Sequence, residues 1–71
     1  MKTINITELK NLDSTKSSID HFRYMGWTLD TQRFEIMRGM MGHLNNWHKF
    51  QPENGQDDIE RAIIELAPEL A

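Results

Sequence analysis

Three histidines, a group of serines and several acidic pairs are the residues of this 71-residue chain whose types could do chemistry. His43 and His48 lie five positions apart, so on a helix they diverge by about 140°. Two metal ligands on one helical face need i, i+4 spacing, and that spacing is missing. His21 belongs to a different segment. We expect no metal and no cofactor, and read the histidines as boundary residues whose rings cover the edge of a core. Ser14, Ser17 and Ser18 stand where a helix should start, and no Gly-x-Ser-x-Gly elbow surrounds them. Asp57 and Asp58 stand at another helix start, where capping and the helix dipole account for paired carboxylates without catalysis. Gly39-x-x-Gly42 lacks the Lys-Ser/Thr and the preceding strand of a phosphate loop. A chain this short has little room to enclose a substrate. The expectation is a protein that is not an enzyme.

What remains is binding, and it concentrates in residues 33–50, R-F-E-I-M-R-G-M-M-G-H-L-N-N-W-H-K-F. On a helical wheel the large apolar residues Phe50, Ile36, Trp47, Met40, Leu44, Met37, Met41 and Phe34 form one arc of roughly 200°. A helix at the edge of a small domain needs a stripe of only about 100°. The excess predicts a helix that packs on two sides, against its own chain and against a partner. Phe50, Ile36 and Trp47 lie at one edge of the arc, Met41 and Phe34 at the other. Gly39 and Gly42 weaken this helix, each by up to about 1 kcal/mol relative to Ala. A helix continuous from 33 to 50 is nevertheless favoured over two pieces broken at Met40-Met41-Gly42. Methionine adapts to irregular surfaces, and aromatics with arginine are enriched at interfaces. The candidate protein-interface residues are therefore Met37, Met40, Met41, Leu44, Trp47 and Phe50, with Arg33 and Arg38 at the rim.

The elements that would position these residues can be read along the chain. Residues 1–6 alternate weakly (Ile4 and Ile6 apolar, Thr3 and Asn5 polar), as a short strand or extended arm would. Thr7 can cap a turn of helix through Leu12. Asp13, Ser14 and Thr15 are a cluster of caps for a helix over about 15–25, with Ile19 and Phe22 on one face and Gly26 as its C′ stop. Thr28 or Asp30 can cap the long segment. Gln51-Pro52-Glu53-Asn54-Gly55-Gln56 reads as a break. Asp57 with Glu60 has capping-box spacing. Ile59, Ala62, Ile63 and Leu66 then form the stripe of a last helix ending near Pro68, and Ile64 lies off that stripe. The prediction is an all-α domain spanning 1–71, a small three- to four-helix bundle or orthogonal helical array with a short extended N-terminal arm.

Composition narrows the setting. No cysteine is present, which excludes disulfides and thiolate zinc sites as reinforcement for a small core. Self-association, as a dimer through the 33–50 helix, is the expected reinforcement. No signal peptide and no membrane-length apolar run are apparent, so a cytoplasmic protein is expected. Residues 1–50 carry seven lysines and arginines against five carboxylates, and residues 51–71 carry one against six. This acidic end reads first as a solvated helix face, and second as a surface for a basic partner.

The opening M-K-T-I-N-I-T-E-L-K-N-L resembles the first strand and helix of the Phd/YefM antitoxin family. The resemblance covers 12 of the 71 residues. It implies a strand followed by a helix, and a toxin-neutralising role as an alternative. A helix, the Gly26 turn and a second helix also allow a helix-turn-helix reading. Thr31, Gln32 and Arg33 would then open a recognition helix, with Arg38 and Lys49 on phosphates. The net charge of −3 opposes it. So do His21, Gln32 and Glu35, which fall where that motif wants core apolar residues. The leading expectation is a small protein-binding module, regulatory or inhibitory, that occupies a partner's surface.

Overall fold

Ile59, Ala62 and Ile63 recur at the spacing of one helical face and are entirely shielded from solvent. They belong to the last α-helix, about which the other elements are arranged. The computed structural model describes residues 2–40 and 49–71, leaving aside the side chains at 39 and 40. In chain order the elements are β1 (Lys2–Ile4), α1 (Ile6–Asn11), α2 (Asp13–Met25) and α3 (Leu29–Glu35). A π-helical turn (Ile36–Met40) continues α3, and β2 (Phe50–Pro52), α4 (Gln56–Leu66) and a 3-10 turn (Pro68–Leu70) follow. The chain is mostly helical with a short N-terminal strand, consistent with a small helical array.

Each helix boundary has a local cause. Asn5 Oδ1 accepts the Glu8 amide at 2.9 Å, and the Asn5 amide donates to Glu8 Oε1 at 3.4 Å. This reciprocal capping box starts α1, so the cap is Asn5 rather than Thr7. Gly26 closes α2 in the left-handed region, at φ 71°. There its amide reaches back to the carbonyls of Arg23 and Phe22. The Thr28 hydroxyl accepts from the Thr31 amide and starts α3. No side chain caps α4, whose N-cap position is Gly55. The expected Asp57–Glu60 box is replaced by Asp58, which accepts from the Asn54 amide and side chain at 3.1 and 3.2 Å and so braces the turn itself.

The sequence reads residues 51–52 as part of a break, yet they continue a strand from Phe50. Phe50–Pro52 runs parallel to Lys2–Ile4, with Thr3 opposite Gln51. The Lys2 amide donates to the Lys49 carbonyl at 3.3 Å, and the Glu53 amide to the Ile4 carbonyl at 2.9 Å. Pro52 is tolerated because, in this register, its missing N–H faces away from the ladder. The consequence is a correction to the helix expected over 33–50. Phe50 is extended, so no helix reaches it, and from Ile36 the described backbone is π-helical rather than α-helical. Pairing the N-terminal strand with residues 50–52 in a sheet needs an extended segment here, and that long-range demand outweighs the local helical pattern. Met41, Leu44, Trp47, His43, His48 and Gly42 lie outside the described residues.

The core joins Leu9 of α1, Ile19 and Phe22 of α2, Leu29 and Ile36 of the α3 segment, and Ile59, Ala62 and Ile63 of α4. Ile4 closes one end, and Ala67 and Leu70 of the C-terminal turn close another. Trp27 stacks on Phe22 with ring centroids 5.7 Å apart and meets His21 edge-on at 5.6 Å. Ile64, predicted to lie off the stripe, is exposed. Replacing Ile59 by Ala should cost about 2–5 kcal/mol in urea unfolding, because it deletes buried methyl groups at the centre. At Gly26 nothing lies within 4 Å of an added Cβ. Gly26→Ala should therefore cost only the backbone term, about 1 kcal/mol.

Candidate functional site

Three carboxylates of the acidic C-terminal segment pair with cations of the earlier helices. Glu65 of α4 meets Lys10 of α1 at 3.4 Å. Glu60 meets Arg33 of α3 at 2.7 Å, and Glu69 meets Arg23 of α2. Each earlier helix thus contributes one cation to a carboxylate of the last segment. Arg23 also donates to the Leu66 carbonyl at 3.3 Å and to Asp20 at 3.4 Å, tying α2 to the end of α4. The Glu60 contact, by hydrogen bond first and charge second, pushes the Arg33 guanidinium above its ordinary value. The Glu69 carboxyl is held below its ordinary value by its own backbone amide and by Arg23. The charge division along the sequence is in part an internal complement, made by Glu60, Glu65 and Glu69.

That pairing decides the roles of the predicted residues. Arg33 is expected at an interface rim, and its guanidinium spans Asp30 and Glu60 instead. Gln32 is a candidate for base contact on the helix-turn-helix reading, yet it is fully buried, its amide nitrogen donating to the Trp27 carbonyl at 3.4 Å. Its Oε1, like the Ser18 hydroxyl, has no partner among the described residues. The Thr31 hydroxyl sits 3.4 Å from that of the cap residue Thr28. Of these three side chains Gln32 is buried, whereas Thr31 and Arg33 are exposed. Phe50 is half-buried against the core.

Met37 and Arg38, expected at a partner interface and its rim, are exposed. Leu29, Gln32 and Ile36 form the inner face of the α3 segment, so the opposite face carries Asp30, Phe34, Met37 and Arg38. Phe34 is 56% exposed and Met37 78%. The Arg38 guanidinium lies over the Phe34 ring, 5.6 Å from its centroid, in cation–π geometry. The 200° arc therefore divides: Ile36 belongs to the core and Phe34 with Met37 to the surface. Charge spacing in the sequence could have shown that Phe34 lies midway between Asp30 and Arg38, a pattern the apolar wheel ignores. Tyr24 and Met25, at the end of α2, are exposed as well.

A second feature is a shallow cleft of about 270 Å³ between α2 and the end of α4, lined by Lys16, Ile19, Asp20, Arg23 and Leu66. It is smaller than typical ligand pockets of about 300–1,000 Å³, and its arginine is already committed to Glu69 and Leu66. Among the described residues no cluster of three or more metal-ligating side chains occurs, and no helix is long and apolar enough to cross a membrane. Comparison with family models, curated proteins and solved structures found no match.

The depressed carboxyl at Glu69 predicts a pH dependence with a definite sign. A carboxylate whose folded pKa lies below its ordinary value of 4.5 adds stability above that pH and loses it as the pH falls. Glu69→Gln should therefore be less stable than the wild type at neutral pH. In acid titrations followed by circular dichroism, the two should converge well below pH 4.5.

Proposed function

We propose that this chain is a small non-enzymatic binding module that acts by covering the surface of another protein molecule. The observation that carries the reading is the outward face of the α3 segment, where Phe34 and Met37 stand in solvent with Arg38 over the aromatic ring. Large apolar side chains gain nothing there in the isolated chain. An aromatic, a methionine and an arginine together have the composition of an interface centre. The face runs onto a π-helical turn, and such turns are frequent at functional sites. Regulation or inhibition by surface occupation needs only such a contact face and no catalytic group.

The test compares capture from the native cell by wild-type protein, by Met37→Glu and by Ile64→Glu, the last carrying the same change on exposed α4. Met37→Glu should lose the specifically bound protein while Ile64→Glu keeps it. Both variants should stay within about 0.5 kcal/mol of wild-type stability, because neither residue is buried. Equal capture by all three would place the contact elsewhere.

A further inference from the structure

Asp30, Phe34 and Arg38 are spaced four residues apart on the outward face of α3 and its π-helical continuation. The acid stands about one turn before the exposed ring on the α-helix, and the base follows it on the π-helical turn with its guanidinium over the ring. The charge pattern reads in opposite senses on the two sides of Phe34. When such a face is turned end over end about Phe34, the acid of one helix comes level with the base of the other, at both ends. We propose that the occupant of this face is a second copy of this chain, its α3 crossing antiparallel with Phe34 on Phe34 at a twofold axis. The proposal rests on the reading of the face as a protein-contact surface, and names the partner.

The charges on this face permit the exchange. Asp30 is 90% exposed at its side chain and holds Arg33 at 3.1 Å, an i, i+3 surface pair of small worth. Arg33 keeps Glu60 at 2.7 Å whether or not Asp30 turns away. Arg38 has no carboxylate partner among the described residues, and its contact is the Phe34 ring. In the twofold arrangement Asp30 meets Arg38 of the second copy twice, and Phe34 with Met37 fills the space between helices about 8–10 Å apart. The register is selective. Setting Phe34 over Met37 instead would bring Arg38 level with Arg33 of the second copy, a like-charge meeting. A seam of this length is smaller than the standard interface of about 1,200–2,000 Å², so the association is weak and salt-sensitive.

Sedimentation equilibrium at low salt, up to about 1 mM protein, reads it, a range that reaches dissociation constants near 1 mM. The wild type should form dimers. Asp30→Arg and Arg38→Asp, each alone, place like charges across the seam and should each weaken dimerisation by about tenfold or more. Mixing the two variants restores both ion pairs and should restore a dimer containing one of each. Phe34→Ala should remain monomeric. A wild type that is monomeric throughout, or single charge reversals that dimerise as the wild type does, would overturn the self-pairing. If Met37→Glu still loses a captured protein while the wild type is monomeric, the face binds a foreign partner and only the second copy is excluded.

Discussion

The last helix is the constraint on which the remaining structure depends. Ile59, Ala62 and Ile63 are fully shielded, and α1 packs on this helix more extensively than any other element. Leu9, Phe22, Leu29 and Ile36 approach from the three earlier helices. A chain of this length buries too little surface to tolerate a second, independent core. One helix must therefore serve all the others, and its apolar stripe is as wide as that service requires.

Charge follows from the same arrangement. α4 packs on α1 and α3, Arg23 of α2 reaches its end, and the flanks of α4 and its C-terminal extension are acidic. Lys10, Arg23 and Arg33 each come from a different helix and each reach one of these carboxylates. Exposed pairs of this kind contribute little individually. Their greater effect is on arrangement, because a helix placed wrongly would leave its cation facing another. Arg23 and Arg33 are engaged in these pairs, whereas Arg38 lies over the exposed Phe34 ring.

Much of this architecture is legible in the amino-acid sequence. Ile59, Ala62 and Ile63 of the α4 stripe and the Gly26 stop follow from spacing and local backbone chemistry, and Thr28 is one of the two caps offered for α3, whereas Leu66, expected on the stripe, is exposed. The short N-terminal strand and the helix after it are also readable, though the cap falls to Asn5 instead of Thr7. The misreadings share a long-range origin. Phe50 sits on the apolar arc of a helical wheel, but a strand partner 48 residues earlier in the chain, Lys2, takes it into an extended pairing. Glu60 has the spacing of a capping box, yet Arg33 from another helix claims its carboxylate. Gln32 looks like a base-contacting residue and is buried in the core. In each case a distant residue overrides what the local pattern indicates. The candidate face is legible only in part: Met37, Arg38 and the arc-edge residue Phe34 are named from the sequence, whereas the place of Asp30 emerges with the buried face of α3.

The claim that one helix organises the molecule can be measured residue by residue through native-state hydrogen exchange. Amides of Ile59–Ile63 should exchange only through global unfolding, with protection matching the free energy from denaturant titration. Amides of the π-helical turn Ile36–Met40, beside the outward face, should open at lower cost. Protection at 36–40 equal to that of α4, or α4 opening while α2 and α3 stay closed, would contradict it.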